Sequence, residues 1–230
     1  MTVFDREKYF NSVRGPLFNG KMEQGQVTGQ DAILAAWEET RSDQDLRWLA
    51  YELATAKHET ASTMQPIEEY GKGKGRAYGV PDPETGETYY GRGYVQLTWK
   101  ENYAKMSHVT GDDLVHHPEA ALLPSVAAEI MFHGMENGSF RPGHDLVRYF
   151  GIIADDPYNA REIINGDKKV VPKWSNGVSI GNLVAGYYAS FLRALKLSRQ
   201  AASEVEPKPE PLVVRVIVPQ GITVEVETLA

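Results

Sequence analysis

A glycine-rich segment in the middle of the chain, residues 71–93, sets the strongest limit on how this protein can fold. It contains seven glycines and two prolines, and both residue types interrupt regular helices and strands. We therefore expect loops and short strands here rather than one long element. Tyrosines lie in or beside the segment at five positions, Tyr70, Tyr78, Tyr89, Tyr90 and Tyr94. The sequence thus predicts a loop region with exposed aromatic rings.

Helical patterns occupy the chain on both sides of that segment. Residues 46–57 place apolar side chains on one helical face after a capping sequence at 42–45, which predicts a buried helix ending near His58 and Glu59. Further helices are predicted within residues 1–42, within 118–150, from Asp155 to Ile164 and from Gly181 to Ser198. The predicted fold class is mainly α, with a cleft lined by the Gly/Tyr-rich loops.

The composition changes after residue 202. Residues 203–211 are acidic and proline-rich, as linkers often are, and residues 212–230 carry two β-branched runs around a Pro-Gln-Gly turn, which predicts a β-hairpin. Residues 1–202 would then form the main domain. An isolated hairpin is marginally stable in water. We therefore expect this one to pack on the main domain or on a partner, where it could serve in assembly.

Composition also excludes several classes of protein. The absence of cysteine excludes disulfide scaffolds, cysteine-ligated zinc and thiol nucleophiles. A net charge of -7, from 24 basic and 31 acidic residues, argues against binding driven by nucleic-acid phosphates. No run approaches the roughly 18 apolar residues of a membrane span. Residues 1–10 do not resemble a signal peptide, so we expect the protein to stay in the cytoplasm until it is released onto a cell wall or extracellular glycan.

Two motifs that suggest a metal or a nucleotide do not meet their requirements. The run from His58 to Ser62 lacks the second histidine that a zinc-binding helix needs one turn later. The loop from Gly71 to Arg76 alternates glycine with basic residues but lacks the order of a phosphate-binding loop. We predict no metal and no cofactor.

Carboxylates are the best remaining candidates for chemistry. Glu59 lies at the end of a largely apolar helix, and Glu68 and Glu69 follow in a segment that has turned past Pro66. Apolar packing raises the pKa of a carboxyl and suits it to act as a general acid, whereas a carboxylate in a wetter loop stays ionised. Hydrolysis of a glycosidic bond needs such a pair. The alternative is that all three are solvated surface charges, and spacing alone favours that alternative.

The segment from Tyr89 to Asn102 adds groups suited to a sugar ligand. Gly91 and Gly93 allow the backbone to approach a ligand closely. The side chains of Gln96, Thr98 and Asn102 could hold sugar hydroxyls, N-acetyl groups or a water molecule. The alternative is a tight turn with buried tyrosines.

These motifs together resemble family 19 glycoside hydrolases. His58-Glu59-Thr60, the run Tyr89-Tyr90-Gly91-Arg92-Gly93-Tyr94-Val95-Gln96-Leu97-Thr98, Asn102-Tyr103 and Ile163-Ile164-Asn165-Gly166 occur in the order seen in that family. The family includes plant-type and bacterial chitinases and phage endolysins. The resemblance covers residues 40–195, and it implies a lysozyme-like helical domain with a deep cleft.

The resemblance also implies an inverting reaction on β-1,4-linked N-acetylated sugars. Glu59 would be the general acid, and Glu68 or Glu69 the general base, with Glu69 preferred. Thr98 matches the hydroxyl residue that helps the base hold the attacking water. The predicted substrate-binding residues are Tyr90, Arg92, Gln96, Thr98, Asn102 and Asn165.

The sequence departs from the family pattern at two places. Many members follow the His-Glu-Thr motif with glycines, where this chain has Ala61 and Ser62. Many also carry an arginine in the last helix, two residues before a glycine, where this chain has Val184 before Gly186. These departures leave the substrate and the number of sugar subsites open.

Three hypotheses follow. The first is a glycan hydrolase, acting on peptidoglycan or on chitin; the compact chain without a signal peptide or chitin-binding module favours a phage-type endolysin. The second is a non-catalytic glycan-binding protein that retains the cleft, and the third is an assembly role for the hairpin. The predicted partner is a polysaccharide, with no nucleic acid and no membrane insertion, and the oligomeric state stays open.

Overall fold

Helices account for most of the regular structure in residues 2–200, which are the residues that the computed structural model describes. The α-helices are α1 (Arg6–Phe18), α2 (Gln24–Thr40), α3 (Leu46–Glu59), α4 (Lys100–Thr110), α5 (Pro124–Glu136), α6 (Leu146–Tyr149) and α7 (Ile180–Ser198). Short 3₁₀-helices form at Ala77–Gly79, Pro118–Leu122 and Asn159–Ile163. The strands are β1 (Val3–Phe4), β2 (Ile67–Glu68), β3 (Arg92–Gly93) and β4 (Arg199–Gln200). The mainly α prediction is confirmed, and the predicted linker and hairpin lie outside the described residues.

Helix α3 lies in the core and has the bounds that its apolar pattern predicts. Its first turn is capped by Asp45, whose side chain accepts a hydrogen bond from the backbone N–H of Arg47, a contact worth about 1 kcal/mol. Every residue from Leu49 to Lys57 is buried. The helix packs along α7 on one side and contacts α2 and α5 on others. Glu59, its last residue, is therefore fixed to the most buried element of the fold.

The region between α3 and α4 consists of loops and one small sheet, as its glycines predict. Strands β2 and β3 pair antiparallel, with Ile67 opposite Gly93 and Glu68 opposite Arg92. The pairing joins the segment that carries the second candidate carboxylate to the Tyr-Gly-Arg-Gly motif. The two halves of the predicted sugar-binding region therefore form one unit.

One sequence-based helix prediction needs correction. Residues 1–42 form helices as predicted, and α1 ends before α2 because Asn19 and Gly20 adopt left-handed backbone angles. Between Asp155 and Ile164 the chain forms a five-residue 3₁₀-helix at Asn159–Ile163. The helix is short because it begins only after Pro157. The Asp156 side chain caps its start by accepting a hydrogen bond from the N–H of Asn159.

The first and last described segments meet. Strand β1 pairs antiparallel with β4, and the N–H of Asp5 donates to the carbonyl of Ser198 at 2.8 Å. Helix α1 packs on α7 beside this pair. Among residues 2–200, no helix has the length and apolar character needed to cross a bilayer.

Candidate active site

Glu59 is held by a buried arginine from a distant part of the chain. The Oε1 atom of Glu59 accepts a hydrogen bond from Nη1 of Arg161 at 2.5 Å. Arg161 belongs to the 3₁₀-helix at Asn159–Ile163, and its side chain is only 2% exposed. The sequence placed Glu59 against apolar side chains, whereas the structure places a guanidinium against it. The rotamer of the candidate acid is thus fixed by an ion pair.

Asp167 completes this charged cluster. Its two oxygens accept from Nε and Nη2 of Arg161 at 2.7 and 3.1 Å. Burial alone would lower the pKa of Arg161, but the attraction of Glu59 and the hydrogen bonds to Asp167 outweigh burial and raise it. Arg161 therefore stays charged and bridges the side chains of Glu59 and Asp167. The N–H of Asn165 donates to the carbonyl of Arg161, which places this exposed, predicted substrate-binding residue beside the cluster.

Glu68 lies in a different, wetter environment on β2. Its Oε1 accepts from the Tyr90 hydroxyl at 2.5 Å, and its Oε2 pairs with Nζ of Lys72 at 2.7 Å. The hydrogen bonds from Lys72 and Tyr90 lower the pKa of Glu68. The side chain is one-third exposed. Glu68 is therefore an ionised carboxylate that solvent can reach.

Glu69 contacts different neighbours. Its Oε1 accepts from the Tyr78 hydroxyl at 3.2 Å, and its Oε2 accepts from the N–H of Gly91 at 3.3 Å. Its own N–H donates to the carbonyl of Gly91 at 2.7 Å. These contacts attach Glu69 to the backbone that enters β3, so its side chain supports the loop.

Arg92 and Tyr90 form a buried support beneath Glu68. The Arg92 guanidinium lies 3.8 Å from the centre of the Tyr90 ring and donates to the carbonyl of Thr88 and to the Tyr103 hydroxyl. Arg92 is 4% exposed and Tyr90 is 7% exposed. Both were predicted to bind substrate. The structure shows them buried beside the Glu68 carboxylate, and their role at the substrate stays a prediction.

The remaining predicted residues lie along the same motif. The Gln96 amide donates to the carbonyls of Ile67 and Gly93 and so braces the β2–β3 pair. Asn102 donates from its side chain to the carbonyl of Thr98 at 2.9 Å, which ties the start of α4 to the motif. The structure thus forms two groups, one around Glu59 with Asn165 and one around Glu68 with Tyr90, Arg92 and Gln96.

The sequence motifs do not identify Arg161, Asp167 or Lys72. Arg161 and Asp167 flank the Ile163–Gly166 motif, so charged residues around it are the only signal that could have pointed to them. Within residues 2–200, no three histidine, aspartate or glutamate side chains come together in a way that could hold a metal ion.

Comparison with known proteins places this geometry in a recognised fold. Two endochitinases of Arabidopsis thaliana are 32% identical to the chain over 123 residues, which is 52% of this chain and 43% of each relative. The match therefore spans less than half the length of these relatives. No protein-family model matches the chain.

Solved structures agree on the fold. Chitinase C from Streptomyces griseus superposes with a TM-score of 0.52 and 19% identity, covering 85% of this chain and 77% of that one. A family 19, class IV chitinase from Zea mays superposes with a TM-score of 0.52 and 19% identity, covering 82% of this chain and 91% of its own. The resemblance to family 19 glycoside hydrolases is confirmed for the fold.

Proposed function

We propose that this protein is an inverting glycoside hydrolase that cleaves β-1,4-linked polymers of N-acetylated amino sugars. The observation that carries the proposal is a pair of glutamates in contrasting environments on a chitinase fold. Glu59 is fixed by buried Arg161, and Glu68 is kept ionised at a partly exposed strand. An inverting glycosidase needs one carboxyl that gives a proton and one carboxylate that activates water.

In this proposal Glu59 protonates the leaving oxygen. Arg161 occupies only Oε1 of Glu59, and within residues 2–200 no donor or acceptor contacts Oε2. Oε2 can therefore carry the proton toward the glycosidic oxygen while Arg161 holds the carboxyl in place. Proton transfer from a positioned side chain of this kind contributes about 10²–10⁴-fold to a rate.

We assign the role of general base to Glu68 rather than to Glu69. Glu68 is ionised by its contacts with Lys72 and Tyr90 and is open to solvent, as a base that activates water must be. Glu69 is attached to the loop backbone through Gly91. The half-buried Thr98 would help hold the attacking water, which needs a gap between the carboxyls of about 6.5–9.5 Å.

A Glu59→Gln variant tests the proposal. Because the amide cannot donate the required proton, we expect at least about a 10²-fold loss of activity, measured at a temperature at which circular dichroism shows the variant to be folded. Activity would be followed as sugar release from colloidal chitin and as turbidity loss of permeabilised bacteria. The matched control is Glu39→Gln, an exposed glutamate on α2, which should keep full activity.

The same experiment distinguishes hydrolysis from the alternative that the protein binds glycans without cleaving them. If wild-type protein cleaves neither polymer and Glu59→Gln binds both as the wild type does, the protein binds glycans without cleaving them. For an active protein, nuclear magnetic resonance of the first product from a defined oligosaccharide gives the anomeric configuration. Inversion supports the two-carboxylate mechanism, and retention overturns it.

Two polymers fit the proposed reaction. The endochitinase relatives favour chitin. Peptidoglycan has the same β-1,4 linkage between N-acetylated amino sugars, but every second sugar carries a lactyl group with an acidic peptide. A cavity at the C-terminal end of α3 favours peptidoglycan.

A further inference from the structure

A cavity of about 350 Å³ opens beside the C-terminal end of α3. Its size lies at the lower end of the range for small-molecule sites. His58, which lines the cavity, directly precedes Glu59 in α3, and the charge of Glu59 acts on its ring. The lining residues are Lys57, His58, Ala61, Ser62, Trp174 and Tyr187.

Lys57 is a buried cation without a matching anion. It is 5% exposed, and its Nζ donates to Oγ of Ser62 at 2.9 Å. Its other close neighbours are aromatic, with Nζ 4.5 Å from the centre of the Phe18 ring and 5.1 Å from that of Tyr187. Within residues 2–200, no carboxylate lies within ion-pair distance of it. A buried charge normally has a partner of opposite sign.

Lys57 nevertheless keeps its proton at neutral pH. Burial lowers the pKa of Lys57 to about 8, so the ammonium form predominates at pH 7. Cation–π contacts with Phe18 and Tyr187 and the C-terminal carbonyl end of α3 stabilise it. The ammonium therefore stands at a cavity wall with a neighbouring hydroxyl, which is an arrangement that suits an incoming carboxylate.

The backbone around Ser62 supports this interpretation. Ala61 and Ser62 have φ angles of 49° and 67°, in the left-handed region that costs a side-chain-bearing residue about 1–2 kcal/mol. That conformation turns the chain back toward α3 and brings the Ser62 hydroxyl to Lys57. Strained backbone of this kind is concentrated at functional sites.

Two aromatic side chains, Trp174 and His58, line the cavity close to each other. Trp174 is 64% exposed, and its ring centre lies 6.4 Å from that of His58. Burial lowers the pKa of His58, so its ring is neutral at pH 7. An aliphatic or sugar surface can therefore pack at the mouth while a carboxylate reaches the interior.

We propose that this cavity binds a carboxylate of the acidic peptide attached to peptidoglycan, with the carboxylate on the Lys57 ammonium and the Ser62 hydroxyl. This inference rests on the proposed function and names its substrate class. Chitin is uncharged and offers no carboxylate to the Lys57 ammonium. The peptide chain of peptidoglycan would lie against Trp174 and Tyr187 while the sugar backbone passes Glu59.

The test measures binding in the Glu59→Gln background, so that no ligand is consumed. Isothermal titration would compare a disaccharide-peptide from peptidoglycan, the same compound with its carboxyls amidated, and the tetramer of N-acetylglucosamine. Lys57→Met removes the charge and keeps the stem, and Ser62→Ala removes only the hydroxyl. The control is Lys105→Met, an exposed lysine on α4.

We expect Lys57→Met to weaken binding of the disaccharide-peptide by about tenfold or more, because a hydrogen bond to a charged group is lost. Amidation of the ligand should weaken binding to a similar degree, and Ser62→Ala should weaken it less. Binding of the N-acetylglucosamine tetramer should change in none of these variants. Lys105→Met should leave every affinity unchanged.

Several results would overturn the proposal. These are undetectable binding of the disaccharide-peptide, insensitivity to amidation, or equal losses for both glycans in Lys57→Met. If Lys57→Met does not fold, the Ser62→Ala variant and the amidated ligand still test whether the cavity binds a carboxylate. Failure of the proposed hydrolysis is seen separately, since a protein that binds the peptide through Lys57 but cleaves no glycan would refute the function and leave the cavity assignment standing.

Discussion

Glu59 depends on an arginine that its own motif does not contain. The His-Glu-Thr motif contains the proposed acid, and Thr60 shapes the helix end by donating to the carbonyl of Ala56 and accepting from the N–H of Met64. Arg161 comes from the far 3₁₀-helix. Val184, which replaces the arginine that many family members carry in the last helix, is fully buried in α7. The guanidinium that contacts Glu59 in this chain belongs to the 3₁₀-helix at Asn159–Ile163.

Glu68→Gln and Glu69→Gln distinguish the two candidates for the general base. We expect Glu68→Gln to lower kcat by about 10²-fold or more, because the amide cannot activate water. Glu69→Gln should lower kcat much less, because an amide can still accept hydrogen bonds from Tyr78 and Gly91. Initial rates on an N-acetylglucosamine oligomer provide the measurement. The reverse order of the two effects would make Glu69 the base.

At the scale of single residues, the sequence predicts the candidate carboxylates but not the side chains that position them. Glu59 and Glu68 stand in or near recognisable motifs. Arg161 reaches Glu59 through tertiary packing, which leaves no periodic signal. The burial of Arg92 against the Tyr90 ring has the same origin, since a motif gives the order of residues along the chain and not their depth in the fold.

At the scale of elements, α3 buries a second carboxyl group about two turns before Glu59. Glu52 is fully buried, and neither of its oxygens has a hydrogen-bond partner within residues 2–200. Burial, reinforced by the negative charge of Glu136, raises the pKa of Glu52 well above its usual value near 4.5. The folded protein therefore holds a proton there that the unfolded chain releases at neutral pH, so this group destabilises the fold as pH rises above about 4.5.

Glu52→Met tests this effect. We expect the variant to unfold at a higher urea concentration than wild type at pH 7, by about 1–3 kcal/mol in free energy of unfolding. The gain should shrink toward pH 5, where unfolded wild type also retains more of the proton. Glu52→Gln, which keeps a polar group but cannot ionise, should flatten the pH dependence as well. A gain that is equal at both pH values would exclude the proton as its cause.

Elements with periodic patterns are the ones that the sequence predicts well. Helices α3 and α7 have long apolar faces, and both form almost within the predicted bounds. The β1–β4 and β2–β3 pairs are two residues per strand, too short for any alternation to appear. Their pairing depends on the packing of α1 on α7 and on the loop after α3, which only the folded chain defines.

At the scale of the whole molecule, the N-terminal segment closes the fold. Phe4 is 3% exposed in the main core, and its N–H donates to Glu38 at 2.7 Å. Arg6 forms two hydrogen bonds with the same glutamate. These contacts connect β1 and the start of α1 to α2, and the pairing of β1 with β4 connects β1 to the end of α7. A few residues therefore join α1, α2 and α7.

Phe4→Ala should therefore destabilise the protein without affecting the site. We expect a loss of about 3–5 kcal/mol, the usual cost of removing a buried phenylalanine side chain, measured from the urea midpoint at unchanged slope. Activity at a temperature well below unfolding should match that of wild type. Val147→Ala, at an exposed position of α6, serves as control and should change stability by less than about 0.5 kcal/mol. A drop in kcat for folded Phe4→Ala would contradict the expectation that this residue affects stability and not activity.

The ion pair between Glu59 and Arg161 spans 102 positions of the chain. Ribosomes add about 5–20 residues per second, so Arg161 is made about 5–20 s after Glu59. During that interval the emerging chain carries the proposed acid without the guanidinium that orients it. A chain that ends before residue 161 therefore cannot form this ion pair, and the candidate site gains its geometry only after that residue has been added.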